Sequence, residues 1–431
     1  MYYIFAGLNE AIRQKKYFNW ERLLEFLKQY LTNEDFWNNK YMIQNEIDYK
    51  ADRSWVVGQI ADLIKEGLKD NQNLLKSYMD DAYKIIKTLL YKETCRENKI
   101  IDYLTHSINC SYGRSIESFI YWIITNKSFD EEAKNVFQNI LDKRGIDGYV
   151  YLGMYLPHFY KFDKEWTLEI LKRLKTEQRE PHWQSFMEGY LSNQKVYDFL
   201  YDSMKSHYLY ALNFNFEGWY SKIIVQHVCL FYLMGKEKLD EVSGLFNQIL
   251  ENFKSEQLIE TINFFWQEKT FLTTDKNKVQ KILDFWKFVF KKLNNKVGKL
   301  SEGDKKISAN LLKLTDFLDP DEEDNWKSYK EWLLFSGKHI NENYLSYEFI
   351  RSLNEIAKKS KRDNLANDIG EVFKNALKTN EDNLPTYKEE DIKSIVEYLY
   401  NKNQKVIADE ICNIYAKQGY FFLREIYENY N

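Results

Sequence analysis

The sequence predicts an all-α protein: an α-solenoid-like array of antiparallel helix pairs. Three observations carry this expectation. Glycine and proline are scarce, 16 and 4 residues among 431, and β-sandwiches and α/β folds need more turn-forming residues than that. Apolar residues recur at i, i+3, i+4 and i+7 through most of the chain, and no run alternates convincingly as a strand would. The polar connections between periodic runs are short, as in stacked helix-turn-helix units. Tetratricopeptide and ankyrin consensus repeats are missing. Trp55-Val56-Val57-Gly58 lacks the Leu and Tyr of the tetratricopeptide pattern, so any repeat is degenerate.

The elements follow in order. The first clear helix begins near Asn19, a natural N-cap, with Trp20, Leu23, Leu24, Leu27 and Tyr30 on one face. A second follows Asp52-Arg53-Ser54 and carries Val56, Ile60, Leu63, Ile64 and Gly67; another spans Leu74 to Leu90. Ile100, Leu104 and Ile108 then recur every four residues, and Ile116, Phe119, Ile120 and Ile123 follow the helical template. Between these two runs lies Asn109-Cys110-Ser111-Tyr112-Gly113-Arg114, a tight polar junction. Asn109 and Ser111 are candidate caps, and Gly113 suits a positive φ or a close helix approach. Arg114 and Glu117, three apart, can pair along the helix.

A helix over Glu131–Leu141 is expected to end in Asp-Lys-Arg-Gly-Ile-Asp-Gly (142–148), a candidate boundary. Two short helical segments flank Pro157, and Pro181 reads as a first-turn proline. Val196 to Tyr210 is rich in aromatics. Trp219, Ile223, Ile224, His227 and Phe231 form a stripe closed by Gly235, a C-cap candidate. Val279, Ile282, Leu283, Trp286, Val289, Phe290 and Leu293 keep helical register over four turns. The lysine-rich stretch 291–306 is the second candidate boundary. Beyond it a helical run over Leu311–Leu318 leads into an acidic turn, and helices resume near Trp326, Leu345, Leu365, Ile392 and Val406. These boundaries divide the chain into an N-terminal helical segment (1–145), central helical repeats (146–300) and a C-terminal helical segment (301–431), or leave it as one continuous array.

Composition narrows the function classes. With 44% hydrophobic and 17% aromatic residues, the core is built on rings. A net charge of -4 at 29% charged residues argues against a general nucleic-acid binder. Cys95, Cys110, Cys229 and Cys412 lie far apart with no CxxC, as expected of reduced thiols in a cytoplasmic protein. The N-terminus has no signal-peptide pattern. The most apolar window, Ile223–Met234, is short of the ~20 residues that span a bilayer, so no membrane is expected.

Candidate chemistry is sparse. No glycine falls in a phosphate-cradling motif, and none of the six histidines, His106, His158, His182, His207, His227 and His339, forms HExxH. His227 and Cys229, two apart on a helix, point in divergent directions and do not share a metal. Asp319, Asp321, Glu323 and Asn325 alternate as in a calcium loop, but Asp324 stands where glycine is required and Lys330 where glutamate is. They read as a solvated acidic turn at a helix N-terminus. The run Lys358, Lys359, Lys361, Arg362 reads as a solvated face. Phe264-Phe265-Trp266 and Tyr201, Tyr208, Tyr210 read as helix–helix core, although exposed rings also anchor interfaces. Arg114 and Glu117 lack an accompanying nucleophile, which makes them an ion pair rather than a catalytic one. No catalytic residue, cofactor or metal site is assigned.

Asn109-Cys-Ser-Tyr-Gly-Arg-Ser-Ile-Glu117 resembles a junction, N-S-x-R-G-R-A-x-E, in the long C-terminal helical regions of bacterial antiviral STAND NTPases. Asn109, Gly113, Arg114 and Glu117 match it, while Tyr112 replaces the basic residue before the glycine. Phe18-Asn-Trp-Glu-Arg-Leu-Leu-Glu, Phe186-Met-Glu-Gly-Tyr-Leu, Val225–Gly235 and Ala408–Arg424 resemble further blocks of the same regions, in the same order. The resemblance implies a non-enzymatic sensor module that binds a phage protein, with the large terminase subunit or the portal as target classes. Binding in that family drives assembly through a central ATPase and switches on an effector such as a nuclease. This chain carries neither motif set, so an ATPase/effector region would act in cis or in trans. The alternative is a general helical-repeat scaffold of another cytosolic complex.

Overall fold

A computed structural model describes residues 1–16, 19–38, 53–69, 76–93, 102–176, 180–214, 216, 218–296, 298–340, 346–362 and 364–431. Phe18, Asp52, Leu74, Cys95, Ile100 and Leu345, used above, lie outside the described residues. The described residues are 79% helical, and no strand occurs among them. It divides into two compact units, Met1–His207 and Tyr208–Asn431.

Unit 1 holds α1 (Tyr2–Arg13), α2 (Trp20–Leu31), α3 (Glu34–Asn38), α4 (Arg53–Leu68), α5 (Met79–Lys92), α6 (Tyr103–Asn109), α7 (Ser111–Asn126), α8 (Glu131–Met154), α9 (Leu156–Phe162), α10 (Lys164–Thr176), α11 (Glu180–Leu191) and the start of α12 (Tyr201–Asn213). Asn19 caps α2 as expected, accepting from the Arg22 amide. The expected stripes of α4 and α7 are buried. α7 packs against α4, α5, α6 and α8, and α8 packs against α11. At the α8–α11 crossing the backbones touch. A Cβ on Gly153 would stand 2.1 Å from the Phe186 carbonyl oxygen, and one on Gly189 would stand 1.9 Å from that of Val150.

Several expectations are corrected here. The loop expected at 142–148 is instead part of α8 (Glu131–Met154), but the helix bends sharply there. A Cβ on Gly148 would stand 3.0 Å from Ile140 and 3.1 Å from Leu141, residues that a straight helix would hold about 10–12 Å away. Pro157 lies inside α9, in its first turn, where its missing amide is harmless. The α6 stripe also fails, because Ile108 is exposed and Ser107 is the buried residue of that helix. A seven-residue helix is oriented by its two neighbours rather than by its own periodicity.

Unit 2 continues with α13 (Tyr220–Leu233), α14 (Leu245–Asn252), α15 (Ser255–Gln267), α16 (Lys269–Leu272), α17 (Lys276–Asn294), α18 (Glu302–Leu311), a 3-10 segment (Leu312–Phe317), α19 (Glu323–Gly337), α20 (Ser346–Lys359), α21 (Leu365–Lys378), α22 (Glu389–Asn401), α23 (Lys405–Lys417) and α24 (Arg424–Tyr430). The helical run expected over Leu311–Leu318 is thus mostly 3-10. Gly235 sits at φ +84° just past α13, where the Lys236 amide returns to the Phe231 carbonyl. Successive helices from α20 to α23 pack side by side, and α20, α21 and α22 each also pack on the helix two further on. α19, α21 and α23 form one row; the 3-10 segment, α20, α22 and α24 form the other. This two-row stacking is the solenoid pattern expected from the sequence.

Polar ladders run along both rows. Lys330 of α19 reaches Asp368 of α21 at 2.7 Å, and Lys378 of α21 reaches Glu410 of α23 at 3.0 Å. In the other row, buried Asn354 of α20 donates to Asp391 and accepts from Ser394 of α22. The apolar seams are aromatic: Trp286 of α17 meets Trp332 of α19 with ring centroids 5.4 Å apart.

Candidate functional site

The matched junction residues lie where α6 turns into α7. Asp102 caps α6 by accepting from the Thr105 amide at 2.9 Å. Buried Glu188 of α11 accepts from the Tyr103 and Leu104 amides at 2.9 and 3.2 Å. Two carboxylates therefore meet the exposed amides that start the helix, where negative charge is favourable. Burial pushes the Glu188 carboxyl above its ordinary pKa, against the lowering effect of Gln184 and the backbone donors.

Cys110 ends one helix and starts the next. Its amide donates to the His106 carbonyl, its carbonyl accepts from the Arg114 amide, and its Sγ accepts from the Gly113 amide at 3.2 Å. Of the expected caps, Asn109 does bond a backbone group, donating to the Thr105 carbonyl in the last turn of α6, whereas Ser111 is corrected: it donates to the Glu93 side chain at 3.0 Å. Gly113 is needed for close approach: a Cβ there would stand 1.9 Å from the Ser107 carbonyl oxygen.

Arg114 and Glu117 do not pair with each other, contrary to the expected i, i+3 bond. Arg114 reaches Asp62 of α4 at 3.1 Å, and Glu117 reaches Lys65 of α4 at 3.0 Å. Lys65 also contacts Asp62 at 3.1 Å, and Glu117 accepts from the Tyr155 hydroxyl at 2.8 Å. Both side chains gain more from oppositely charged partners on a facing helix than from each other along an exposed helix edge. Burial would lower the Lys65 pKa, but Glu117 and Asp62 beside it outweigh that and hold it raised. Burial and then Glu117 push the Tyr155 hydroxyl far up, so it stays a donor. Gly113, Arg114 and Glu117 thus fix how α4, α6, α7 and α8 meet, while exposed Asn109 bonds only within α6.

The expected core clusters divide. Phe264, Phe265, Tyr201 and Tyr208 are buried, whereas Tyr210 is half exposed. His227 and Cys229 are both buried, and His227 bonds the Tyr208 hydroxyl at 2.7 Å. The acidic turn and the basic run come together instead of standing apart. Asp321 accepts from Ser360 and the Lys361 amide, and Arg362 donates to the Pro320 carbonyl.

One grouping was missed. His106, Cys110 and Asp147 place ligand atoms within 4.8 Å of one another. The His106–Cys110 spacing of four was visible in the sequence; Asp147, on a different helix, was not. Among the described residues no helix is long and apolar enough to cross a membrane. No family model, curated protein or solved structure matches the chain.

Proposed function

We propose that the chain is a non-enzymatic, cytoplasmic protein-binding sensor module that recognises a phage structural or packaging protein in bacterial antiviral defence. The observation that carries the protein-binding part is a set of large rings left in solvent at one place on a helical stack. Tyr387 is 89% exposed and Phe421 64% exposed, with half-exposed Tyr420 beside it. Both segments close on buried Tyr415, whose hydroxyl bonds the Pro385 carbonyl and whose ring meets those of Tyr420 and Phe422. Aromatic anchors on a rigid base lose little side-chain entropy on binding and dominate interface energetics.

The phage partner rests on the junction resemblance. Gly113, Arg114 and Glu117 of the matched set act here as helix fasteners, which supports reading the motif as a mark of this kind of array. The charged groups around α7 are engaged in holding helices together, which supports a binding role over a chemical one. An ATPase/effector region in cis or in trans would read out the binding.

The test is a pull-down of purified phage large terminase and portal proteins by the full chain, with Tyr387→Ser/Phe421→Ser as the comparison. The expected result is capture of one of them, weakened at least about tenfold by the double substitution. A folded chain that captures neither refutes the phage reading. Capture untouched by the substitutions refutes this surface.

A further inference from the structure

We propose that His106, Cys110 and Asp147 form a binding site for a thiophilic divalent cation, with zinc the best fit. His106 lies in α6, and Cys110 is the residue that caps its C-terminus, four positions on. Asp147 comes from α8, which packs on α6. The imidazole nitrogen, the thiol sulfur and a carboxylate oxygen lie within 4.8 Å of one another. Bonds of about 2.0 Å to nitrogen or oxygen and about 2.3 Å to sulfur set ligand atoms of a tetrahedral zinc site about 3.3–3.8 Å apart. His106 and Cys110 are only half buried, and side-chain rotation closes the difference.

Two independent features support a cation here. Asp147 is 4% exposed, and no lysine or arginine pairs with it among the described residues. A buried carboxylate without a cation is costly, and a metal ion removes that cost. The surroundings also suit ligation. Ser107 donates to Asp147 Oδ1 at 2.6 Å, which orients the carboxylate. The Gly113 amide donates to Cys110 Sγ at 3.2 Å at the start of α7, which orients the sulfur. One sulfur, one nitrogen and one oxygen match zinc rather than magnesium or calcium. Three protein ligands leave a fourth position open on the half-exposed side.

Cobalt(II) is the probe, added to the reduced full-length chain and followed by absorbance. The expected result is a saturable thiolate-to-cobalt charge-transfer band with the visible bands of a tetrahedral ion, both displaced by zinc. Cys110→Ser should abolish the charge-transfer band, and His106→Gln and Asp147→Asn should each weaken cobalt binding at least about tenfold. No such band in the wild-type chain overturns the site. So does a band that survives in Cys110→Ser, which would belong to another cysteine. If Cys110→Ser loses helicity by circular dichroism, His106→Gln decides, because it leaves the α7 cap in place. Unchanged cobalt affinity in that variant overturns the proposal.

Discussion

Around α7 in unit 1, Lys65, Asp62, Arg114 and Glu117 join facing helices through partly buried charges. Along α17 in unit 2, the same task falls to rings. Trp286 meets Trp332, Phe290 meets Trp332 and Phe335, and Phe285 meets Phe246 and Phe265. Both arrangements bury a helix face, but they fail differently. A ring seam draws on area, so it loses stability roughly in proportion to what is removed. A charged corner depends on mutual placement, so a lost partner leaves another charge stranded.

The largest expected effect tests the seam. Trp286 is fully buried, and Trp286→Ala should cost about 3–5 kcal/mol in denaturant unfolding. Its indole N–H finds no acceptor among the described residues, so Trp286→Phe should cost well under half as much. Equal losses would show that the seam relies on more than area. Next comes Gly113→Ala. At an ordinary helical position this change stabilises by about 0.5–1 kcal/mol. Here the new Cβ meets the Ser107 carbonyl oxygen at 1.9 Å, and a loss of about 2–3 kcal/mol is expected. A stabilised variant would show that the corner yields as freely as a seam.

The smallest effect concerns pH. Unit 2 also holds charged knots, among them the one where Asp316 meets Lys269, Arg351 at 3.1 Å and Ser352. Burial would raise the Asp316 pKa, but Lys269 and then Arg351 outweigh it and hold it below the ordinary value of 3.8. Its contribution is therefore present above about pH 4 and is lost as pH falls below that. Asp316→Asn should cost about 1–2 kcal/mol at neutral pH and flatten the acid limb of a stability–pH curve. Lys65 is the mirror case. Its raised pKa keeps its contribution intact below the ordinary value of 10.5, and that contribution is lost as pH climbs through the folded value. A chain whose acid limb is unchanged by Asp316→Asn would remove the knot from the comparison.

The same contrast explains what could be read in advance. The α17 stripe, the Asn19 cap and the Gly235 turn are local, because periodicity and cap chemistry lie within a few consecutive residues. The corner is not local. Nothing near Glu117 announces Lys65, and a cysteine as the cap shared by two helices runs against the usual preference for oxygen side chains. Glycines at 145 and 148 punctuate the sequence, and the chain answers with a sharp bend inside α8 rather than a loop, bringing Gly148 against Ile140 and Leu141. For the cation site, half the signal was legible as the His106–Cys110 spacing and half depended on α8 returning to α6.

The α8–α11 crossing bears on how such a chain drifts in sequence. Seam residues can be exchanged one at a time, since a phenylalanine and a tyrosine fill nearly the same space. Gly153 and Gly189 have no such neutral neighbours, because each faces the other helix's main chain. A methyl group at either one forces both helices apart, and no single compensating change restores the fit. Substitutions should therefore accumulate around these two positions while they stay in place. Distant relatives would then be found less by overall similarity than by this pair of glycines, set one on each of two long crossing helices.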